Sequence, residues 1–180
     1  MLSRLYGTLY QLVTGLAPRR ILDFGCGEAH FWGTLARFGP LPEVLGIDLR
    51  PDAIAAATMR YPAARFLCID LFELPNPDPS FDLVIASEVL EHLRSPDRYL
   101  ARLCELSTRW VLLTVPHEPF FRLCNFARGR DLRRFGNHPE HIQCWSKRSF
   151  GRFVSAHLEI VRLETSFPFV ILLGRVRDAK

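Results

Sequence analysis

Two stretches of the chain carry residues whose types and spacing could do chemistry. In Ser87-Glu88-Val89-Leu90-Glu91-His92, two carboxylates and an imidazole stand at i, i+3 and i+4. On a helix that spacing puts all three on one face. Such a group can take a proton from a hydroxyl, or hold a divalent cation that polarises one. In Asp23-Phe24-Gly25-Cys26-Gly27, two glycines follow an acid, so the backbone can turn sharply and approach a ligand with no side chain in the way. Asp48 stands about twenty residues further on, the distance at which an acid reaches ribose hydroxyls. His30 occupies the place of the third glycine in a dinucleotide G-x-G-x-x-G, so the pattern indicates an adenosine-containing ligand without saying which. His117 and His141 are further candidates for moving or orienting a proton, although His117 would serve equally well to satisfy a loop carbonyl.

These residues need elements to position them, and the pattern supplies an alternation of short apolar runs with helical stretches. That alternation predicts an α/β fold, doubly wound around a mostly parallel sheet. Residues 2–16 read as an amphipathic helix, with Leu2, Leu5, Leu9, Leu12, Val13 and Leu16 at helical spacing. Strands are predicted at Ile21–Phe24, Val44–Ile47, Arg65–Ile69, Phe81–Ala86 and Trp110–Val115. Between them fall helices over about Ala29–Phe38, Asp52–Arg60 and Pro96–Leu106, the turn Gly39-Pro40-Leu41-Pro42, and a rigid loop over Pro75–Pro79. A last helix is predicted over Lys147–His157, then an antiparallel hairpin of Leu158–Leu163 and Phe169–Leu173. The first four strands each end in polar or acidic residues: Asp23, Asp48, Asp70 and Ser87-Glu88. In an open parallel sheet, ligands bind outside those carboxyl ends.

Composition agrees with one globular domain over residues 1–180: 48% hydrophobic, 23% charged, net charge +4. Disordered and fibrous classes are excluded, and the mild arginine-rich excess suits an acidic partner or an anionic surface. The five cysteines are scattered with no CxxC pair, the usage expected of reduced thiols in a cytoplasm. No apolar run approaches the ~20 residues that span a bilayer, and the helical interruptions at Tyr10, Gln11 and Thr14 argue against a signal peptide.

Ile21-Leu22-Asp23-Phe24-Gly25-Cys26-Gly27 resembles the first motif of class I S-adenosylmethionine-dependent methyltransferases, and the run Phe81 to Leu93 resembles their fourth-strand motif. The resemblance covers about residues 18–174 and implies a seven-stranded, Rossmann-like sheet. It implies a cofactor site of Asp23, Gly25, Cys26, Gly27, Asp48, Leu49, Asp70, Leu71 and Ser87. Within that site Asp48 would hold the ribose, Asp70 the adenine amino group, and Leu71 would pack on the ring. Ala29 departs from the family, where glycine is common. The E-x-x-E-H string is similar to that of small-RNA 2′-O-methyltransferases and ubiquinone-pathway O-methyltransferases. By that similarity Glu88, Glu91, His92 and His141 form a candidate divalent-metal set, and Glu88, Glu91, His92, His117 and His141 are the catalytic candidates. Many methyltransferases carry such a string with no metal, using it for packing.

Residues 117–146 fit no βα unit and are expected to form the acceptor side or a lid. Phe120, Phe121, Leu123, Phe126, Leu132 and Phe135 are interleaved there with Arg122, Arg128, Arg130, Arg133 and Arg134. Three readings stand side by side: a lid over a small-molecule or lipid-linked acceptor, an RNA-binding surface, and a basic amphipathic surface resting on a membrane. The expected activity is O-methylation. The alternatives are a metal-dependent RNA 2′-O-methyltransferase, and a cofactor-binding or membrane-surface module without chemistry. The expected location is the cytoplasm, including the inner membrane surface.

Overall fold

A computed structural model describes residues 2–36, 42–74, 81–129 and 140–177. All but Pro42 of the predicted turn at 39–42, the loop at 75–79 and the middle of the insertion, with Arg130, Leu132, Arg133, Arg134 and Phe135, lie outside the described residues.

The strands β1 (Arg20–Phe24), β2 (Glu43–Asp48), β3 (Arg65–Cys68), β4 (Phe81–Ser87), β5 (Ser107–Pro116), β6 (Leu158–Ser166) and β7 (Phe169–Val176) form one sheet. Its order is β3-β2-β1-β4-β5-β7-β6. The first five strands run parallel, and β7 pairs antiparallel with both β5 and β6. The helices are α1 (Leu2–Leu16), α2 (His30–Leu35), α3 (Pro51–Arg60), α4 (Pro96–Leu106), α5 (Phe120–Ala127) and α6 (Lys147–Val154).

The period-2 geometry of a strand sends alternate side chains to opposite faces. Along β4, Val84 and Ala86 enter a core with Leu100 and Leu103 of α4 and Phe150 of α6. Leu83 and Ile85 enter the opposite core, with Leu5 and Leu9 of α1, Trp32 of α2 and Ala57 of α3. Burial on both faces explains why β4 is a continuous apolar run. Full burial of each large side chain contributes roughly 1.5–3 kcal/mol, so the central strands are rigid supports for whatever hangs from their ends.

The antiparallel pair extends the sheet beyond β5. The hairpin β6–β7 reaches further than predicted, and Ser166 pairs with Phe169 across its tip. No described helix is long and apolar enough to cross a membrane.

Candidate functional site

The strand order reverses between β1 and β4, and the loops that leave these two strands on the same edge diverge to leave a crevice of about 290 Å³. Its walls include Tyr6, Asp23, Gly25, Gly27, Ser87 and Glu88. The glycine loop is fastened to β2: the N–H groups of Gly25 and Cys26 both donate to the Ile47 carbonyl, at 2.8 and 3.1 Å. The Asp48 carboxylate completes the tie, accepting from Gly27 N–H and Arg50 N–H, each at 2.9 Å. Gly25 and Gly27 hold φ of +71° and +53°, and a Cβ on Gly25 would run into Val89 Cγ2. Glycine is required there by backbone conformation and by space. Ala29 adopts φ +58° as well, so the family's usual glycine is replaced by the smallest side chain that can bear the strain.

The crevice is acidic and partly dry. Asp23 is buried and accepts a 2.6 Å bond from Trp32 Nε1. Burial, with a smaller contribution from Asp48, pushes its carboxyl up to about 7, against the lowering effect of Trp32. Glu88 sits at φ +58° at the end of β4, and its carboxylate accepts from Thr114 Oγ1 at 2.9 Å. Burial and the neighbouring Glu91 raise it well above the usual carboxylate range. Burial also raises the Tyr6 phenol, with Asp23 and Glu88 adding to the effect. A cationic ligand group placed among these residues would find several partners.

On the neighbouring strand end, Asp70 accepts from Phe72 N–H at 2.9 Å and from Tyr99 Oη at 3.1 Å. Leu49 is 65% exposed, which leaves a free apolar surface beside Asp48. Leu71 is wholly buried in the core with Leu100 and Leu103 of α4, and Asp48, Leu49, Asp70 and Leu71 all lie outside the wall of the crevice itself. The 3-10 turn Leu71–Glu73 turns the Leu71 side chain inward. Cys26 is half-buried and lines the crevice, and burial pushes its thiol far upward, away from thiolate chemistry.

A correction concerns Glu88, Glu91 and His92. They do not share a helical face, because only Leu90–His92 form a 3-10 turn and the left-handed backbone at Glu88 stands outside it. Glu88 faces the crevice, whereas Glu91, His92 and His141 each bring one ligand atom within 4.8 Å of the other two. Backbone bonds assemble this group: Ile142 and Gln143 N–H donate to the Glu91 carbonyl, at 2.8 and 2.9 Å. His92 Nδ1 lies 3.0 Å from the Glu140 carbonyl, which can only accept, so Nδ1 carries a proton and Nε2 is the ring atom turned toward Glu91, 3.9 Å from its Oε1. Glu91 is 1% exposed, neither of its carboxylate oxygens has a hydrogen-bond partner, and burial pushes it up to about 8.

His117 lies elsewhere. It forms an isolated parallel bridge with Trp145 that closes the base of the insertion, and its ring packs 5.0 Å from Phe120. Burial, then Lys147, lowers its pKa. Sequence reasoning missed Tyr6, which lines the crevice from α1, and also Thr114 and Tyr99, which do not line it but bond Glu88 and Asp70. Each reads in sequence as an ordinary residue of a helix or strand.

Comparisons with known proteins agree with this arrangement. The family described as a methyltransferase domain matches residues 22–107. A Mycobacterium tuberculosis protein named a probable S-adenosylmethionine-dependent methyltransferase is 32% identical over 129 residues, 71% of this chain and 45% of its own. A ubiquinone biosynthesis O-methyltransferase of Rhodopseudomonas palustris is 33% identical over 107 residues, 57% of this chain and 41% of its own. The chain thus spans less than half the length of these relatives. In fold it resembles the magnesium protoporphyrin IX methyltransferase of Synechocystis solved with bound SAH, at a TM-score of 0.72 and 18% identity, covering 96% of this chain and 82% of that one.

Proposed function

Because the chain belongs to the class I S-adenosylmethionine-dependent methyltransferase superfamily, we propose that it methylates an oxygen of a small, lipid or glycan-type acceptor. The observation that carries this reading is the acidic crevice at the β1–β4 reversal, with its glycine loop tied to Asp48. S-adenosylmethionine is compatible with it: Gly27, where a Cβ would meet nothing nearer than the Arg50 guanidinium at 3.7 Å, leaves room beside Asp23 for the methionine part. Asp48 and Asp70, outside the crevice wall itself, are the residues that would take the ribose and the adenine. When bound, the cofactor supplies a methyl group already activated on a sulfonium.

The chain's own residues then have two tasks, to orient an acceptor oxygen and to receive its proton. Glu88 suits the second, since a carboxylate of raised pKa is a stronger base, and Thr114 Oγ1 fixes the direction of its Oε1. An acceptor screen that follows release of S-adenosylhomocysteine tests the proposal. Turnover with hydroxyl or carboxylate compounds is expected. Turnover confined to nitrogen or carbon acceptors would contradict it.

One observation favours a metal-assisted version. A carboxylate as deeply buried as Glu91, with neither oxygen hydrogen-bonded and His92 Nε2 standing 3.9 Å from Oε1, is costly unless an ion or a donor arrives. Glu91, His92 Nε2 and His141 would hold a divalent cation, which would act by polarising the acceptor oxygen. Excess chelator should then reduce turnover at least ~10-fold, and Glu91→Gln should abolish Co²⁺ absorption bands while leaving cofactor affinity unchanged. Full turnover in chelator would remove the metal from the account.

A further inference from the structure

We propose that α5 and the tip of the β6–β7 hairpin dock this chain on the anionic surface of a phospholipid bilayer, with the crevice mouth turned toward the lipid. Phe120, Leu123 and Phe126 recur at i, i+3 and i+6 along α5, and each is 42–59% exposed. Phe167, at the hairpin tip, is 49% exposed and its ring lies 5.9 Å from that of Phe120. Two separate elements therefore build one apolar patch, where a helix that served only the core would show solvent a polar face.

Charge complementarity identifies the occupant. Arg122 and Arg128 flank the apolar face, and neither is in an ion pair among the described residues. Glu118, the acid nearest to them in sequence, accepts from Arg122 N–H at 3.4 Å and feels the Arg122 charge without forming an ion pair, while its Oε1 is buried. An apolar strip with cationic margins is the composition that lies in the interface of an anionic membrane, rings among the acyl chains and guanidinium groups at the phosphates. RNA would be met by exposed aromatics and cations too, but the patch includes Leu123, which cannot stack on a base.

Position supplies the functional link. β5 runs parallel to β4, so Pro116 ends on the same sheet edge as Ser87. β7 starts opposite Pro116, which puts the hairpin tip on that edge as well. The docking face thus adjoins the rim from which the cofactor crevice opens, and an acceptor carried in the membrane would arrive there. This last step rests on the methyltransferase reading, whereas the docking itself does not.

Sedimentation of the full chain with phosphatidylcholine vesicles, with and without 30–40% phosphatidylglycerol (roughly the content at which a strongly anionic surface forms), tests the proposal. The expected result is at least ~10-fold more binding to the anionic vesicles, weakened by salt. Leu123→Ser and Phe126→Ser should each reduce that binding several-fold, with unchanged thermal melting and unchanged S-adenosylmethionine affinity by calorimetry. Four results would overturn it: no vesicle binding, binding indifferent to both variants, a dimer in solution that Leu123→Ser dissociates, or tight RNA binding with none to vesicles. Retained docking with no cofactor binding would contradict only the methyltransferase reading.

Discussion

Asp23 shows how a single residue can be placed at a cost to stability. Its carboxyl, ordinarily near 3.8, is raised to about 7 chiefly by burial. Between those values the folded chain keeps a proton that the unfolded chain has released. The stability this proton contributes is complete below about pH 4 and is lost as pH rises through about 7, with a slope of about 1.4 kcal/mol for each pH unit between the two. Asp23→Asn keeps an acceptor for Trp32 Nε1, whose bond to Asp23 is 2.6 Å. In thermal melts of the ligand-free protein, the variant should lose less stability than the parent between pH 5 and 8. Parallel losses would show that Asp23 titrates normally. At this scale the sequence located Asp23, Asp48 and Asp70 at or just past strand ends, because apolar periodicity fixes where the strands stop. It gave no sign of Tyr6 in the crevice or of the burial of Leu71, since which way a side chain turns depends on neighbours far away in the chain.

The elements explain the error over Glu88 and Glu91. A string that spans i, i+3 and i+4 shares a face only if the segment is an α-helix, and here three residues make one 3-10 turn. The backbone at Glu88, fastened by its N–H to Thr114 Oγ1 at 3.1 Å, takes a left-handed turn that periodicity cannot foresee. Val89, the next residue, fills the space above Gly25. The two motifs are therefore packed against each other, and Gly25→Ala should destabilise by ~1–3 kcal/mol from its backbone conformation alone, with the collision against Val89 in addition. Chemical denaturation checks this. The double variant with Val89→Ala should recover part of the loss, and no recovery would mean that the two loops are not in contact.

For the whole molecule, the sheet was legible and the contacts of the insertion were not. The parallel strands, the switch point and the hairpin follow from apolar runs, prolines and glycines whose physics is local. The described part of the insertion is tied to the sheet by the His117–Trp145 bridge and, next to His141, by the Glu91 carbonyl, contacts between residues remote in sequence. No local pattern records those contacts. The central claim, that the crevice is a site for S-adenosylmethionine, is tested most directly by calorimetry of the purified chain with S-adenosylmethionine, S-adenosylhomocysteine and NAD. Either of the first two should bind and NAD should not, and Asp48→Ala should weaken the binding by ~1–3 kcal/mol, as expected when a charged hydrogen-bond partner is lost. Tight NAD binding, or an affinity for S-adenosylmethionine that Asp48→Ala leaves unchanged, would contradict it.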